Sequence, residues 1–243
     1  TWTVNTKTRN VGALNNHVFP IMGNRDYRTI TKQEWHVLFQ DIQKKPHPKT
    51  GMPIIEMGQR VSALVREIYD YAEVTGKATY NPITNLHKYL LKHESVGMKH
   101  VDESGLPALL RMIDTYRGSD TRIGLKLLCM LFCRSTELRE ATWEEFDLIK
   151  GVWVIPAERI KMRKEHKVPL PSQAIDLLNQ LKELNGYSPY LFPSRSSKSK
   201  PKSNTVFIEA LKRLGYGDKQ NPHGFRHIAS TILNNQFSDK PQV

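Results

Sequence analysis

Apolar residues in the first part of the chain recur every three or four positions, which is the spacing of one face of a helix. This pattern predicts three long helices, over residues 6–19, 31–43 and 55–74. Thr31 and Glu34 have the spacing of a capping box, so the second helix is expected to start beside Thr31. The first part is therefore predicted to be helical throughout.

The second part of the chain mixes two periodicities. Helical spacing predicts helices over residues 102–116, 121–132, 135–142, 172–184 and 205–214. The stretch 121–132 is apolar nearly all round, which is typical of a helix buried on every side. Short runs with strand character cover residues 146–148, 152–155 and 167–170. Together the two parts predict a mainly α fold with a small antiparallel β-sheet.

Two polar segments interrupt these patterns. Residues 93–100 are typical of a linker, so we expect one domain over residues 1–97 and another over residues 98–243. The Ser/Lys-rich segment 193–203 is predicted to be disordered, or to be ordered only by contact with a phosphate backbone.

The charge balance narrows the choice of partners. Lysine and arginine together number 36 against 24 aspartates and glutamates, a formal net charge of +12. Both parts of the chain share this surplus, which indicates a polyanionic partner and above all nucleic acid. The longest apolar run, residues 124–133, is too short to span a bilayer, so no membrane partner is predicted.

The cysteines and histidines suggest neither a disulfide framework nor a metal. Cys129 and Cys133 lie one helical turn apart in the apolar run, which predicts buried, inert thiols. The histidines are scattered without zinc-site spacing, and no metal or other cofactor is predicted. Because the chain starts at Thr1 without a methionine and stops at Val243, we interpret it as a fragment of a cytosolic protein.

A short motif near the end of the sequence predicts an anion site. Asn221 is a favoured helix N-cap and Pro222 a favoured first helical residue, so a helix is expected from there to about Asn235. His223 and Arg226 are three residues apart and share a face of it. A helix amino terminus already favours anions, so an imidazole and a guanidinium there suit a phosphate. Taken alone, the motif is more typical of a surface helix with two ordinary polar residues than of a phosphate site.

Three sequence elements, in the order in which they follow one another along the chain, resemble those of the tyrosine recombinases. The first is Arg134-Ser-Thr-Glu-Leu138, directly after the buried helix. The second is Lys161, in the basic connection between two predicted strands, and the third is the helix with His223 and Arg226. The amino-acid sequences of 153–162 and 166–170 are most similar to those of integrases from prophages, satellite phages and pathogenicity islands. The resemblance extends from near Lys7 to Asn235.

The resemblance implies a cofactor-free reaction in which a tyrosine attacks a DNA phosphate. A 3′-phosphotyrosine and a free 5′-hydroxyl result, and the hydroxyl of a partner strand then reverses the step. By resemblance, Arg134 and Arg226 stabilise the charge on the phosphate oxygens, a role that suits guanidinium. Lys161 would be the general acid, and His223 would bind the phosphate and assist proton transfer. Glu137 would orient the arginines in support.

The resemblance also implies partners and further contacts. Residues 1–97 would be a helical core-binding domain and residues 98–243 an incomplete catalytic domain. DNA contacts are expected from Arg60, Arg159, Arg163, Lys164 and His166. The partner would be a double-stranded attachment site, bound by a homotetramer of the full-length enzyme in the bacterial cytoplasm, with a host DNA-bending protein as a further candidate.

None of the tyrosines occupies the place of the nucleophile, because all of them precede Arg226. We therefore expect these 243 residues alone not to cleave DNA. Simpler roles also stay open. Arg134 and Glu137 can form a purely structural ion pair, and the cations around Lys161 can lie on a solvated hairpin. Two other functions remain, a non-catalytic DNA-binding regulator on a recombinase scaffold and a type IB topoisomerase.

Overall fold

The computed structural model describes residues 2–94, 97–160 and 164–237. The chain falls into two compact units, Thr1–Val96 and Gly97–Val243. Each unit has a hydrophobic core of its own. Helices dominate both units, and the strands described in the second unit form a small antiparallel sheet. The predicted fold class is therefore confirmed.

The first unit consists of helices and short 3₁₀ turns. Its helices are α1 (Val4–His17), α2 (Phe19–Met22), α3 (Lys32–Lys44) and α4 (Ile55–Val74). The helices predicted over 31–43 and 55–74 are confirmed to within one residue. The helix predicted over 6–19 ends earlier, at His17. Pro20 cannot donate a backbone hydrogen bond, and it is accommodated in the first turn of α2 instead.

The capping box predicted at the start of α3 is present. The Glu34 backbone N–H donates to Thr31 Oγ1 at 3.3 Å, and the Thr31 backbone N–H donates to Glu34 Oε2 at 2.8 Å. Both bonds satisfy backbone groups that a helix start otherwise leaves unpaired. Helix α3 then packs against α4, and Trp35 Nε1 donates to the Tyr69 hydroxyl at 3.2 Å in the core between them.

The second unit combines helices with the sheet. Its helices are α5 (Leu106–Asp114), α6 (Ser119–Leu131), α7 (Ser135–Arg139), α8 (Ser172–Asn185), α9 (Val206–Arg213) and α10 (Gly224–Gln236). Its strands are β1 (Phe146–Asp147), β2 (Val152–Ile155) and β3 (His166–Pro169). They pair in the order β1-β2-β3, with Trp153 opposite both Phe146 and Val168. Gly151, in the turn before β2, has a φ of +63°, which residues with a side chain rarely adopt.

Helix α6 is the centre of the second unit. Leu125, Leu127 and Leu128 are fully buried, and α6 contacts the five other helices of this unit. A Cβ at Gly124 would lie 2.5 Å from the ring of Phe207, so α9 approaches too closely for a larger residue. The predicted burial is thus confirmed for most of α6, whereas Arg122, Lys126, Cys129 and Met130 are half-buried. This packing fixes the carboxyl end of α6 in place. Among the described helices, none is long and apolar enough to cross a membrane.

The segment 193–203 contradicts the prediction of disorder. The Ser194 N–H donates to the Lys200 carbonyl at 2.8 Å, and the Lys202 N–H donates to the Phe192 carbonyl at 2.7 Å. Lys202 Nζ also pairs with Asp120 Oδ2 at 2.5 Å, and both side chains are largely buried. The Ser/Lys-rich composition misled the prediction because this ion pair, with a partner far away in sequence, holds the segment.

Candidate active site

The site begins where α6 ends. Phe132 has a φ of +49° and a ψ of 22°, a left-handed conformation that turns the chain sharply out of α6. Arg134 follows as the residue before α7. Its backbone N–H donates to Glu137 Oε2 at 2.8 Å, and its Nη1 donates to Glu137 Oε1 at 2.5 Å. The Glu137 side chain is 7% exposed and that of Arg134 44%, so the carboxylate is buried behind an accessible guanidinium.

The second part of the site is the start of α10, and the structure corrects the prediction for it. Residues Asn221 and Pro222 are not the N-cap and first helical residue; the N-cap is His223 and α10 begins at Gly224. Asn221 instead forms a turn, in which its Oδ1 accepts the His223 N–H at 3.0 Å. A Cβ at Gly224 would lie 2.8 Å from the Lys99 carbonyl oxygen, so this helix start requires glycine.

Arg226 connects α10 with the end of α6. It is exposed, and its Nη1 donates to the Phe132 carbonyl oxygen at 3.4 Å. That contact places Arg226 beside the same short connection that carries Arg134. The two predicted phosphate-binding arginines, 92 positions apart in sequence (226 − 134), are therefore brought together.

A cavity of about 760 Å³ lies between these elements. Arg134, Glu137 and Arg226 line it. Lys164 and His166, both predicted to contact DNA, line it as well. Its apolar wall comes from the end of α6 and from β3, chiefly Met130, Phe132 and Val168. Most of the charged residues that line the cavity are thus basic, and the cavity is large enough to admit a phosphodiester.

The His223 imidazole lies among cations. Burial lowers the pKa of His223 below its ordinary value, and the charges of Arg226 and Arg134 lower it further. His227 acts in the same direction, whereas Glu137 raises the pKa. The structure thus brings His223 into electrostatic reach of both arginines. An anion bound between them would offset their charge and favour the protonated imidazole.

The remaining predicted residues divide into three groups. Lys161 and Arg163 lie outside the described residues. Arg60 lies on α4 of the first unit, in a separate hollow of about 280 Å³. The guanidinium of Arg159 is bound within the protein: its Nη1 donates to Glu145 Oε1, and its Nη2 donates to the backbone carbonyl of Glu137. Its side chain is 19% exposed, so this residue faces the protein interior.

Glu145 is a residue that the sequence analysis missed. Its side chain is 8% exposed. Besides Arg159, it accepts the Trp153 indole N–H at 2.9 Å and the Thr142 backbone N–H at 3.3 Å. The spacing of Thr142 and Glu145 is that of a capping box, and this signal was available in the sequence.

Cys133 lines the cavity, and Cys129 lies four residues earlier, in α6. Cys133 is buried and Cys129 half-buried, and both thiols are free. Burial, reinforced by the charge of Glu137, raises the pKa of Cys133 to about 12. Burial also raises the pKa of Cys129. The prediction of buried thiols is confirmed for Cys133 and only partly for Cys129. Over residues 2–94, 97–160 and 164–237, no cluster of three or more candidate ligands is arranged to hold a metal.

Two guanidinium groups and one imidazole of lowered pKa define what this arrangement can do. Guanidinium groups match the oxygens of a phosphate in geometry and keep their charge at any physiological pH. Cations held beforehand in a partly buried site stabilise charge that develops on such oxygens during a displacement at phosphorus. The site is therefore suited to binding and activating a phosphodiester.

Comparison with known protein families gives matches over both units. Residues 99–243 match the Phage integrase family, and residues 1–89 match the Phage integrase central domain. Prophage integrase IntA of Escherichia coli K12 is 32% identical over 225 residues, which cover 92% of this chain and 53% of that protein. The integrase of Enterobacteria phage P4 is 33% identical over 247 residues, covering 96% of this chain and 55% of that protein. The chain thus spans about half the length of these relatives.

Solved structures show the same fold. The Tn1549 transposon integrase in complex with circular intermediate DNA has a TM-score of 0.79 at 13% identity, covering 97% of this chain and 83% of that one. A lambda integrase dimer bound to a COC′ core site has a TM-score of 0.73 at 17% identity, covering 99% and 67%. A lambda integrase tetramer bound to a Holliday junction has the same TM-score, 0.73, at 17% identity, covering 99% and 70%. At such identities the likeness concerns the fold alone.

Proposed function

This chain belongs to the phage integrase family, and from that membership we propose that it is part of a site-specific DNA recombinase. The reaction cuts and rejoins DNA through a 3′-phosphotyrosine intermediate and integrates a mobile element. The observation that carries the proposal is the convergence of Arg134, Glu137 and Arg226 on one cavity, with His223 in electrostatic reach. These residues come from distant parts of the sequence and suit a phosphodiester.

Each residue has a distinct part in this proposal. Arg134 and Arg226 bind the non-bridging oxygens and stabilise the charge of the pentavalent transition state. His223 donates a hydrogen bond to the phosphate and assists proton transfer. Glu137 orients Arg134, and Lys161 protonates the leaving 5′-oxygen. Among the described residues that line the cavity none is a tyrosine, and we propose that the nucleophile is supplied by sequence outside these 243 residues.

The two units have different roles in the proposal. We assign core-site DNA binding to residues 1–97, with Arg60 as one contact, and catalysis to residues 98–243. Lys164 and His166 would contact the backbone beside the scissile phosphate. Four copies of the full-length protein would assemble on paired attachment sites, as in the lambda integrase tetramer bound to a Holliday junction. A host DNA-bending protein and a bacterial cytoplasmic location complete the proposal.

Covalent trapping tests the proposed reaction. The full-length protein is incubated with a nicked duplex that carries the element's attachment site, and protein–DNA adducts are resolved under denaturing conditions. We expect an adduct with the parent protein and none with Arg134→Ala or Arg226→Ala. Arg213→Ala is the matched control, because Arg213 is an exposed arginine on α9 that does not line the cavity. Adducts of undiminished yield in both active-site variants would refute the assignment.

Two further measurements separate the competing functions. The 243-residue chain should bind duplex DNA through phosphate contacts, with an affinity that falls steeply as salt is raised. A flat salt response would count against this mode of binding. Relaxation of a supercoiled plasmid without an attachment site would favour a type IB topoisomerase, and binding without any adduct would favour a regulator.

A further inference from the structure

Arg159 joins two structural elements that meet behind the cavity. One arm of its guanidinium, Nη1, donates to Glu145 Oε1 on the short 3₁₀ turn Trp143–Glu145. The other arm, Nη2, donates to the carbonyl oxygen of Glu137 in α7. Both arms are thus used within the protein, and the side chain is only 19% exposed.

The partner of the first arm is firmly held. Glu145 Oε2 accepts the indole N–H of Trp153 at 2.9 Å, and Trp153 is fully buried in β2. Glu145 Oε1 also accepts the Thr142 backbone N–H at 3.3 Å, beside its bond from Arg159. Both carboxylate oxygens are therefore satisfied, and the ion pair is attached to the central strand of the sheet.

The partner of the second arm belongs to the residue that orients Arg134. Helix α7 is five residues long, and the last four carbonyl groups of a helix have no partner within it. Arg159 supplies a charged donor to one of these carbonyls, that of Glu137. The side chain of the same residue binds Arg134 through two hydrogen bonds. The chain of contacts therefore runs from the sheet through Arg159 and Glu137 to Arg134.

We propose that Arg159 is a positioning residue, which fixes the backbone of Glu137 and through it the guanidinium of Arg134. The inference rests on the proposed function, because it concerns the same site. It replaces the sequence-based expectation that Arg159 contacts DNA. A guanidinium with both arms bound internally would have to leave a buried carboxylate unpaired before it could reach a phosphate.

The test separates positioning from stability by comparing three variants of the full-length protein. Arg159→Met keeps the length of the side chain and removes both donors. Glu145→Gln keeps the shape of the carboxylate and removes its charge. The double variant lacks the donors and the buried charge together. For each variant, the rate of adduct formation is measured at saturating nicked attachment-site DNA, together with the Kd for that DNA and the urea midpoint.

Arg159→Met should lower the adduct rate about 10- to 100-fold, as loss of an outer partner of a catalytic group generally does, with the Kd unchanged. Its urea midpoint should fall, because Glu145 is left buried without a cation. The double variant should recover the midpoint but not the rate, since the Glu137 carbonyl still lacks its donor. It also gives a usable measurement if Arg159→Met alone folds poorly.

Four results would overturn the inference. If the adduct rate of the double variant recovered together with its urea midpoint, Arg159 would merely neutralise Glu145. A weaker Kd at an unchanged rate would make Arg159 a DNA contact after all. A fully active Arg159→Met beside an inactive Arg134→Ala would remove the inference alone, whereas a fully active Arg134→Ala would remove the proposed function and the inference with it. Arg213→Ala again serves as the matched control.

Discussion

The start of α7 and the start of α10 each present an arginine to the cavity, but they hold it differently. Arg134 is bound through both its backbone and its side chain by a carboxylate that is 7% exposed. Arg226 is exposed and donates to the Phe132 carbonyl at 3.4 Å, close to the outer limit of a hydrogen bond. One cation is oriented before a ligand arrives, and the other has to be oriented by the ligand.

This difference has an energetic meaning. A group that is already oriented loses little conformational freedom when it binds, and it stabilises developing charge without rearrangement. Arg134 has this advantage, although part of its charge is shared with Glu137. Arg226 keeps its full charge for the ligand and loses side-chain entropy on binding. The site therefore combines one rigid cation with one adaptable cation.

Replacing Arg134 or Arg226 by lysine should show the difference between the two arginines most strongly. With Arg134→Lys, the ammonium lacks the planar fork that serves a carboxylate and a phosphate at once, so we expect the adduct rate to fall about 10²- to 10³-fold. With Arg226→Lys, the ammonium remains free for the phosphate, and we expect a smaller loss of about tenfold. The rates are compared at saturating DNA in the full-length protein. Equal losses would contradict the distinction between the two cations.

Neutralising the buried carboxylate of Glu137 should affect the rigidly held Arg134 and leave Arg226 unchanged. Glu137→Gln keeps the shape of the side chain but weakens its hold on Arg134, and we expect the adduct rate to fall about 10- to 100-fold. The Kd for DNA should hardly change. Glu144→Gln provides the control, because Glu144 is an exposed glutamate on the neighbouring 3₁₀ turn. An equal effect of both changes would point to net charge instead of orientation.

The pKa of His223 reports on both arginines in the 243-residue chain. NMR titration should give a pKa below the ordinary 6.5, and Arg226→Ala should raise it more than Arg134→Ala does. Because the folded-state pKa is depressed, the unfolded chain takes up this proton first on acidification. The stability contributed by neutral His223 is thus complete above pH 6.5 and is lost as the pH falls through the folded pKa. A larger shift from Arg134→Ala would reverse the comparison.

The smallest expected effect concerns the turn before α10. Asn221→Ala removes the hydrogen bond to the His223 N–H, and we expect the free energy of unfolding to fall by about 1 kcal/mol. Urea denaturation of the 243-residue chain measures this change in the free energy of unfolding. Asn204→Ala is the control, since Asn204 is exposed in a connecting segment. A loss well above that of one hydrogen bond would show that the start of α10 is as firmly held as that of α7.

Patterns local in sequence predicted much of the fold. The bounds of α4, the capping box at Thr31 and the burial of most of α6 were all predicted from residues within one or two helical turns of each other. The strands over 152–155 and 166–169 were predicted to within one residue for the same reason. In these places the spacing of residues that are close in sequence is enough to predict the structure.

The structural features that the sequence did not predict share a different cause. Lys202 orders a segment of disorder-prone composition through Asp120, and Arg159 turns inward because of Glu145 and the Glu137 carbonyl. Such partners lie far apart in the sequence, so local patterns could not reveal them. In the site, resemblance supplied Arg134, Glu137 and Arg226, and the structure brings these to one cavity. Their catalytic roles remain predictions, as does that of Lys161, which lies outside the described residues.

The thiols beside the cavity have a practical consequence for spectroscopy. Alkylating reagents attack thiolates, and burial suppresses that form for both Cys129 and Cys133 at neutral pH. A single cysteine introduced on the surface would therefore react with a maleimide dye well before Cys133, and also before Cys129. Fluorescent reporters could then be attached without first removing a side chain from the packed end of α6.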